Sequence, residues 1–343
     1  MRWDPAKAAA RGLHWGSPVL ESGITLIQNG KLYYRGQDAV KLAETATLEQ
    51  AAELLWAAEE GERPRLFAQT GALSAGVLAR LRTCTRDPLT LMQTALPMAG
   101  AADLKSYDLR LAAVRQTGAR ILRFLTTIVA GRDTQAPIHL ALQAAWAPKK
   151  TAAANAIRTA LVLSADHELN VSAFAGRCAA SAQASPYDVV SAAMATLKGS
   201  LHGGATERVS SLFAETEAPR RARAVLANRL RRGERIPGFG HPLYSAGDPR
   251  ATALLRLAEA SGNAAEWRLV RSLWKAGAEL LHDIPNLDFA LVAVARTYGL
   301  PERAPFLTFA LGRTVGWLGH AMEQYADGNL IRPRARYTGP APG

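Results

Sequence analysis

Cysteine is scarce: the 343 residues contain two, Cys84 and Cys178. Two thiols cannot form a disulfide framework, so a reducing, cytoplasmic setting is the expectation. Aromatic residues make up only 7% of the chain, and no basic tract interleaves with them as a base-stacking surface requires. No apolar run approaches the roughly 20 residues that span a bilayer; the stretch from Phe289 to Ala295 stops at Arg296. The segment from Met1 to Gly16 lacks the apolar stretch of a secretory leader. Strand signals nearly vanish after residue 35. There is no Gly-x-Ser-x-Gly elbow, no phosphate-cradling loop with Lys-Ser/Thr and no ligand cluster with metal-site spacing, so metal binding is not expected.

What remains is a globular composition, 48% hydrophobic and 20% charged. The length suggests two domains and suffices for a large core. Net charge is +12. A solvated arginine-rich surface explains that, as does an anionic partner such as a phosphorylated or carboxylated small molecule. The basic residues are spread out, for example Arg220-Arg221-Ala222-Arg223 and Arg229-Leu230-Arg231-Arg232, and nucleic acid is not the expected partner.

One β signal stands out. Ile24-Thr25-Leu26-Ile27 and Lys31-Leu32-Tyr33-Tyr34 flank Asn29-Gly30, the favoured chemistry of a tight hairpin turn. The rest reads as helix. Thr47 and Gln50 form a capping-box start, and Leu48, Ala51, Ala52 and Leu55 continue at helical spacing. Further helices are predicted over 74–81, 109–128, 151–164, 189–197, 206–213, 221–231, 250–259, 264–281, 288–298 and 305–326. Ser185-Pro186 makes an N-cap and first-turn pair, and Gly199 ends the helix that follows. The expected class is all-α with a short N-terminal hairpin.

Five polar islands interrupt this apolar background: Asp166-His167-Glu168-Leu169-Asn170, Leu201-His202-Gly203-Gly204-Ala205, Gly238-Phe239-Gly240-His241-Pro242, Asp248-Pro249-Arg250 and Asn286-Leu287-Asp288. Arg313 and Arg332 follow. Histidines with a carboxylate can move protons, and arginines hold small carboxylates. Taken singly, each island has a plain structural explanation. His202 could satisfy a helix end, with Gly203-Gly204 permitting close backbone approach to a ligand. The Gly238–Gly240 loop could offer N–H groups to an adenine edge or a carbonyl, but lacks the third glycine of a dinucleotide fingerprint. Asp248 reads as an N-cap, Asp288 as a first-turn carboxylate, and Arg250 as a first-turn cation poorly placed against the helix dipole unless an anion meets it.

Taken together, in order and spacing, the islands resemble the citrate synthase family from the Asn29-Gly30 hairpin to Arg332. The carriers are Asp166–Asn170, the run Leu197-Lys198-Gly199-Ser200-Leu201-His202-Gly203-Gly204-Ala205, Ile236-Pro237-Gly238-Phe239-Gly240-His241, Pro285-Asn286-Leu287-Asp288, Gly312-Arg313 and the end from Ile331 to Tyr337. The resemblance implies a large helical domain, 1–203 with 301–343, carrying dimerisation and the oxaloacetate site. A small domain, 204–300, would close over it from the acyl-CoA side. It implies catalysis by His202, His241 and Asp288: Asp288 takes a methyl proton from acetyl-CoA, His202 hydrogen-bonds the thioester oxygen, and His241 polarises the oxaloacetate ketone. His167, Asn170, Arg250, Arg313 and Arg332 would hold the dicarboxylate, Arg332 coming from the partner of a homodimer or multiple of dimers. Pro237, Gly238, Phe239 and Gly240 would meet CoA. The CoA thioester is a substrate, and no cofactor is implied.

The chain departs from the family pattern in two places. Serine stands at 245, where many relatives carry Lys or Arg reaching toward CoA phosphates, and Thr206 stands where Asn is common. Both bear on CoA affinity and acyl specificity. Residues 13–22 resemble a divergent branch, some members of which carry a preceding helix-turn-helix domain, expected to be absent here. The primary expectation is condensation of acetyl-CoA, oxaloacetate and water to citrate and CoA. The alternatives are a 2-methylcitrate synthase using propionyl-CoA and a catalytically weak regulatory or binding protein.

Overall fold

The hairpin forms where its turn chemistry places it. In the computed structural model, which describes residues 20–68 and 75–340, β1 (Thr25–Gln28) pairs antiparallel with β2 (Lys31–Tyr34), and Gln28 faces Lys31. Asn29 and Gly30 both take positive φ, 53° and 71°, as a type I′ turn demands. A short third strand, β3 (Gln37–Asp38), extends the sheet beyond the expected hairpin. Residues 13–19 of the branch-like segment lie outside the described residues, as does Ser74 at the start of a predicted helix.

Helices follow in chain order: α1 (Ala39–Thr45), α2 (Leu48–Leu55), α3 (Arg63–Leu66), α4 (Ala75–Cys84), α5 (Pro88–Ala102), α6 (Leu111–Ala130), α7 (Ile138–Trp146), α8 (Ala153–Leu163), α9 (Val171–Ser181), α10 (Pro186–Leu197), α11 (Ala205–Thr216), α12 (Ala222–Arg231), α13 (Pro249–Glu259), α14 (Ala264–Leu281), α15 (Leu287–Tyr298) and α16 (Ala304–Asp327). The Thr47–Gln50 capping box closes reciprocally at the start of α2, and Ser185 caps α10. Helix α5 escaped the sequence reading because Pro97 sits inside it, where proline ordinarily argues against helix. Helix α10 ends at Leu197, but Gly199 is not the left-handed cap expected; positive φ terminates α6, α15 and α16 at Gly131, Gly299 and Gly328 instead. No helix among the described residues is long and apolar enough to cross a membrane.

Helix α16 organises the interior. It is buried from Ala304 to Met322, the pattern of a helix surrounded by others. It packs on α2, α6, α8, α9 and α10. Its glycines permit this closeness: a Cβ at Gly312 would stand 2.6 Å from the Leu161 carbonyl oxygen, and one at Gly316 2.3 Å from the Asp166 carboxylate. The α8–α9 turn is thereby pressed against α16, which brings residues 164–170 beside Arg313. Around residues 205–298, α13 packs on α15, α12 on α14, and α11 on α15. Contacts of α13 and α15 with α8, and of α15 with α16, join this group to the rest.

Candidate active site

The site forms where the α8–α9 turn, the turn before α11, the loop at 237–248 and the start of α15 meet. In the first turn Asp166 is fully buried, accepts a hydrogen bond from Thr25 Oγ1 at 2.5 Å and lies 3.4 Å from His320 Nε2. Burial opposes its charge, but His320 and Arg313 outweigh that and hold its carboxyl below the usual range. Asp166 is thus a structural counterion. Among the described residues no group of three or more His, Cys, Asp or Glu is placed to hold a metal ion.

His167 hydrogen-bonds Tyr244 Oη through Nε2 at 2.9 Å, and its ring meets that of His241 edge-on, centroids 5.0 Å apart. Tyr244 also lies 4.9 Å from the His241 ring centroid, so three rings cluster. Burial first, then the nearby Arg250 and Arg313 charges, push His167 well below its ordinary pKa. Burial and Arg250 push His241 down to about 4, so it is neutral near pH 7. Its tautomer follows from one contact: the Leu243 amide donates to Nδ1 at 3.1 Å, so the ring hydrogen resides on Nε2. His241 therefore presents an Nε2–H donor.

His202 is pushed down to about 4, chiefly by burial and then by Arg313, and is likewise neutral. Its Nε2 lies 2.7 Å from Ser172 Oγ. That hydroxyl accepts from Trp317 Nε1 at 3.0 Å and donates to Asn170 Oδ1 at 2.7 Å. Asn170 Oδ1 already accepts the Ser172 and Ala173 amides as the N-cap of α9. Ser172 thereby holds the His202 ring in place through Nε2. Gly203 and Gly204 permit close approach, as expected, but to the chain itself: a Cβ at Gly203 would lie 2.7 Å from the Leu197 side chain, and one at Gly204 3.0 Å from the Gly199 carbonyl oxygen.

Asp288 sits in the first turn of α15, its amide donating to Asn286 Oδ1 at 3.1 Å. Its carboxyl makes no hydrogen bond or ion pair among the described residues. Although part of its surface stays accessible, protein encloses it deeply enough for burial to push it up to about 7. Arg250 is buried and binds Asp248 through two hydrogen bonds, Nε to Oδ1 at 2.9 Å and Nη2 to Oδ2 at 2.8 Å. Asp248 Oδ2 also accepts the Leu287 amide at 3.1 Å, which fixes the start of the Asp288 helix to the Arg250 guanidinium. Arg313 donates to the Ser164 carbonyl at 2.9 Å and stands 4.7 Å above the Phe309 ring. Burial lowers it to about 10, so it stays cationic near pH 7.

The remaining sequence candidates divide. Phe239 pairs with Pro285, and the Gly240 amide donates to the Ile284 carbonyl at 2.9 Å, so this N–H of the 237–240 loop is engaged within the protein. Pro237 and Gly238 are buried. Arg332 lies exposed on the irregular segment after α16, without a hydrogen bond or ion pair to the other site residues. Sequence reasoning missed Ser172, Tyr244 and Trp317 as members of the cluster, and it read Asp248 only as a helix cap. The one available signal was their proximity in sequence to the islands.

A mostly helical protein with two neutral histidines, a free carboxyl tuned toward neutrality and buried arginines has the side chains to move protons and hold anions. The comparisons give that class its family. The sequence model described as citrate synthase, C-terminal domain, matches residues 12–334. Citrate synthase 2 of Bacillus subtilis is 30% identical over 97% of this chain and 96% of its own. A 2-methylcitrate synthase of Mycobacterium tuberculosis is 33% identical over 91% of this chain and 86% of its own. The ternary complex of carboxymethyl coenzyme A and oxaloacetate with citrate synthase from Thermoplasma acidophilum superposes with a TM-score of 0.83 at 26% identity, covering 96% of both chains. The chain belongs to the citrate synthase family, whose members support a citrate synthase-type condensation.

Proposed function

We propose that the protein condenses acetyl-CoA with oxaloacetate and water to give citrate and CoA. The observation that carries the reading is the pairing of a free, near-neutral carboxyl at Asp288 with a neutral His202 ring held by Ser172. Asp288 removes a proton from the acetyl methyl group, while His202 donates a hydrogen bond to the thioester oxygen as the enol forms. Raising the carboxyl pKa from 3.8 to about 7 makes it a markedly better base for a carbon acid at neutral pH. The enol carbon then attacks the oxaloacetate ketone, whose oxygen takes its hydrogen from His241 Nε2. Water hydrolyses the citryl thioester and releases CoA. Arg250 and Arg313 hold the dicarboxylate by forked hydrogen bonds, with His167 beside them. Asn170 acts through Ser172 and the α9 cap.

Residues 204–300 form the domain that closes on the site and excludes water. A second copy of the chain contributes Arg332. Leu104 and Tyr107, 79% and 67% exposed between α5 and α6, support an interface with that copy. A second reading, 2-methylcitrate synthesis from propionyl-CoA, is favoured by the likeness to the mycobacterial 2-methylcitrate synthase. One methylene is worth about 1–3 kcal/mol, so relative kcat/KM for acetyl-CoA and propionyl-CoA decides between them. A clear preference for propionyl-CoA overturns the first reading.

A further inference from the structure

We propose that Tyr244 is a positioning residue for the dicarboxylate: it holds the His167 ring and the Arg250 guanidinium, which come from separate parts of the chain, in one fixed arrangement. The inference rests on the dicarboxylate site proposed above. Two turns lock Tyr244 into the loop between α12 and α13. Its amide donates to the His241 carbonyl at 3.1 Å, and its own carbonyl accepts from the Gly247 amide at 3.0 Å. Gly247 takes a φ of 105°, and a Cβ on it would stand 1.8 Å from Ile284 Cδ1, so the second turn has room only for glycine. The tyrosine is 3% exposed, yet it lines a cavity of about 120 Å³ with His241 and Asp248. It stands at the edge of the space a ligand enters.

Each part of the side chain meets a different member of the site. The hydroxyl oxygen lies 2.9 Å from His167 Nε2, and no other side chain hydrogen-bonds His167 among the described residues. The ring centroid lies 5.6 Å from Arg250 Cζ, within cation–π reach, and 4.9 Å from the His241 ring. Burial pushes the phenol above its ordinary range, so the hydroxyl keeps its hydrogen near neutral pH and brings no charge to a site that receives an anion. A leucine would fill much of the same space but offer His167 no hydrogen bond and Arg250 no ring face. The buried His167 nitrogen would then be unpaired, which is costly, and its ring would be free to turn. With Tyr244 in place the dicarboxylate meets side chains already ordered, and the entropy of ordering them is not charged to binding.

The test is calorimetric titration of the full chain with oxaloacetate, joined to steady-state thiol release, for the wild type, Tyr244→Phe, Tyr244→Leu and Tyr298→Phe. Tyr298 is also buried, and its hydroxyl donates to the Leu257 carbonyl at 3.0 Å, so it controls for loss of a buried hydroxyl elsewhere. Tyr244→Phe should weaken oxaloacetate binding about tenfold, the size of a lost hydrogen bond that leaves a buried partner unpaired. Its KM for oxaloacetate should rise alike, while kcat and KM for acetyl-CoA follow the wild type. Tyr244→Leu also removes the ring face and should weaken binding about tenfold again. In a His167→Asn background Tyr244→Phe should cost nothing more, and Tyr298→Phe should follow the wild type. Unchanged affinity in Tyr244→Phe overturns the proposal. So does an equal loss in Tyr298→Phe, a full loss when His167 is already replaced, a fall in kcat or in the binding-competent fraction with affinity intact, or no oxaloacetate binding by the wild type. The condensation reading fails separately, if wild-type protein that binds oxaloacetate releases no thiol from acetyl-CoA or propionyl-CoA.

Discussion

Replacing Asp288 with asparagine should move activity and stability in opposite directions. Burial pushes this carboxyl from 3.8 to about 7, while in the unfolded chain it titrates near its ordinary value. The folded state therefore binds the proton more tightly. That advantage is fully present below about pH 4 and is lost as pH rises through 7. Roughly three pH units at 1.36 kcal/mol each put the penalty for holding the ionised group at about 4 kcal/mol at pH 8. Asp288→Asn carries no titrating proton. Relative to the wild type it should gain about 2 kcal/mol between pH 5.5 and pH 8, the part of the titration lying in that window. His202 and His241, both pushed to about 4, stay neutral in the folded state but take up protons near 6.5 when unfolded; that contribution is common to both proteins and cancels in their difference. Urea unfolding at the two pH values measures the change. Thiol release should fall about 10²- to 10⁴-fold with loss of the base, and wild-type kcat/KM should rise with pH through about 7. A stability difference independent of pH, or a wild-type activity flat between pH 6 and 8, would refute the reasoning.

Further outcomes follow from the surrounding contacts. Ser172→Ala removes the hydroxyl that holds the His202 ring through Nε2, so turnover should fall about 10- to 100-fold while calorimetry finds oxaloacetate affinity unchanged; equal losses in both would contradict the positioning role. Asp248→Asn weakens both the Arg250 fork and the anchor of the α15 start. It should raise KM for oxaloacetate and lower kcat together, whereas an effect on neither would show that Arg250 needs no such partner. Gly316→Ala forces a Cβ to within 2.3 Å of the Asp166 carboxylate; thermal melts should show a loss of about 1–3 kcal/mol from overpacking, and a neutral result would mean that the α8–α9 turn yields.

Local chemistry was legible in the chain. Asn29-Gly30, Thr47 with Gln50, Ser185-Pro186 and Asp248-Pro249 act through residues within a few positions, and each forms its turn or cap as read. What stayed hidden acts at long range. Ser172 meets Trp317 across 145 positions, and His167 meets Tyr244 across 77. Neither Ser172 nor Tyr244 carries a motif, so only folding reveals its partner. Asp166 shows the same. Its place beside His167 and Glu168 gives no hint of Thr25, which donates to it, or of His320, which lies 3.4 Å away, both remote in sequence. The glycines of Leu201–Ala205 read in sequence as admitting a ligand, whereas in the structure they admit the chain's own Leu197 side chain and Gly199 carbonyl.

The central claim is that Asp288 and His202 form an enol from an acyl thioester that oxaloacetate then captures. Release of CoA from acetyl-CoA, followed by a thiol reagent with and without oxaloacetate, tests it most directly. The account predicts release that requires oxaloacetate and yields one citrate per thiol by mass spectrometry. It is contradicted by release indifferent to oxaloacetate, or by no release from either acetyl-CoA or propionyl-CoA.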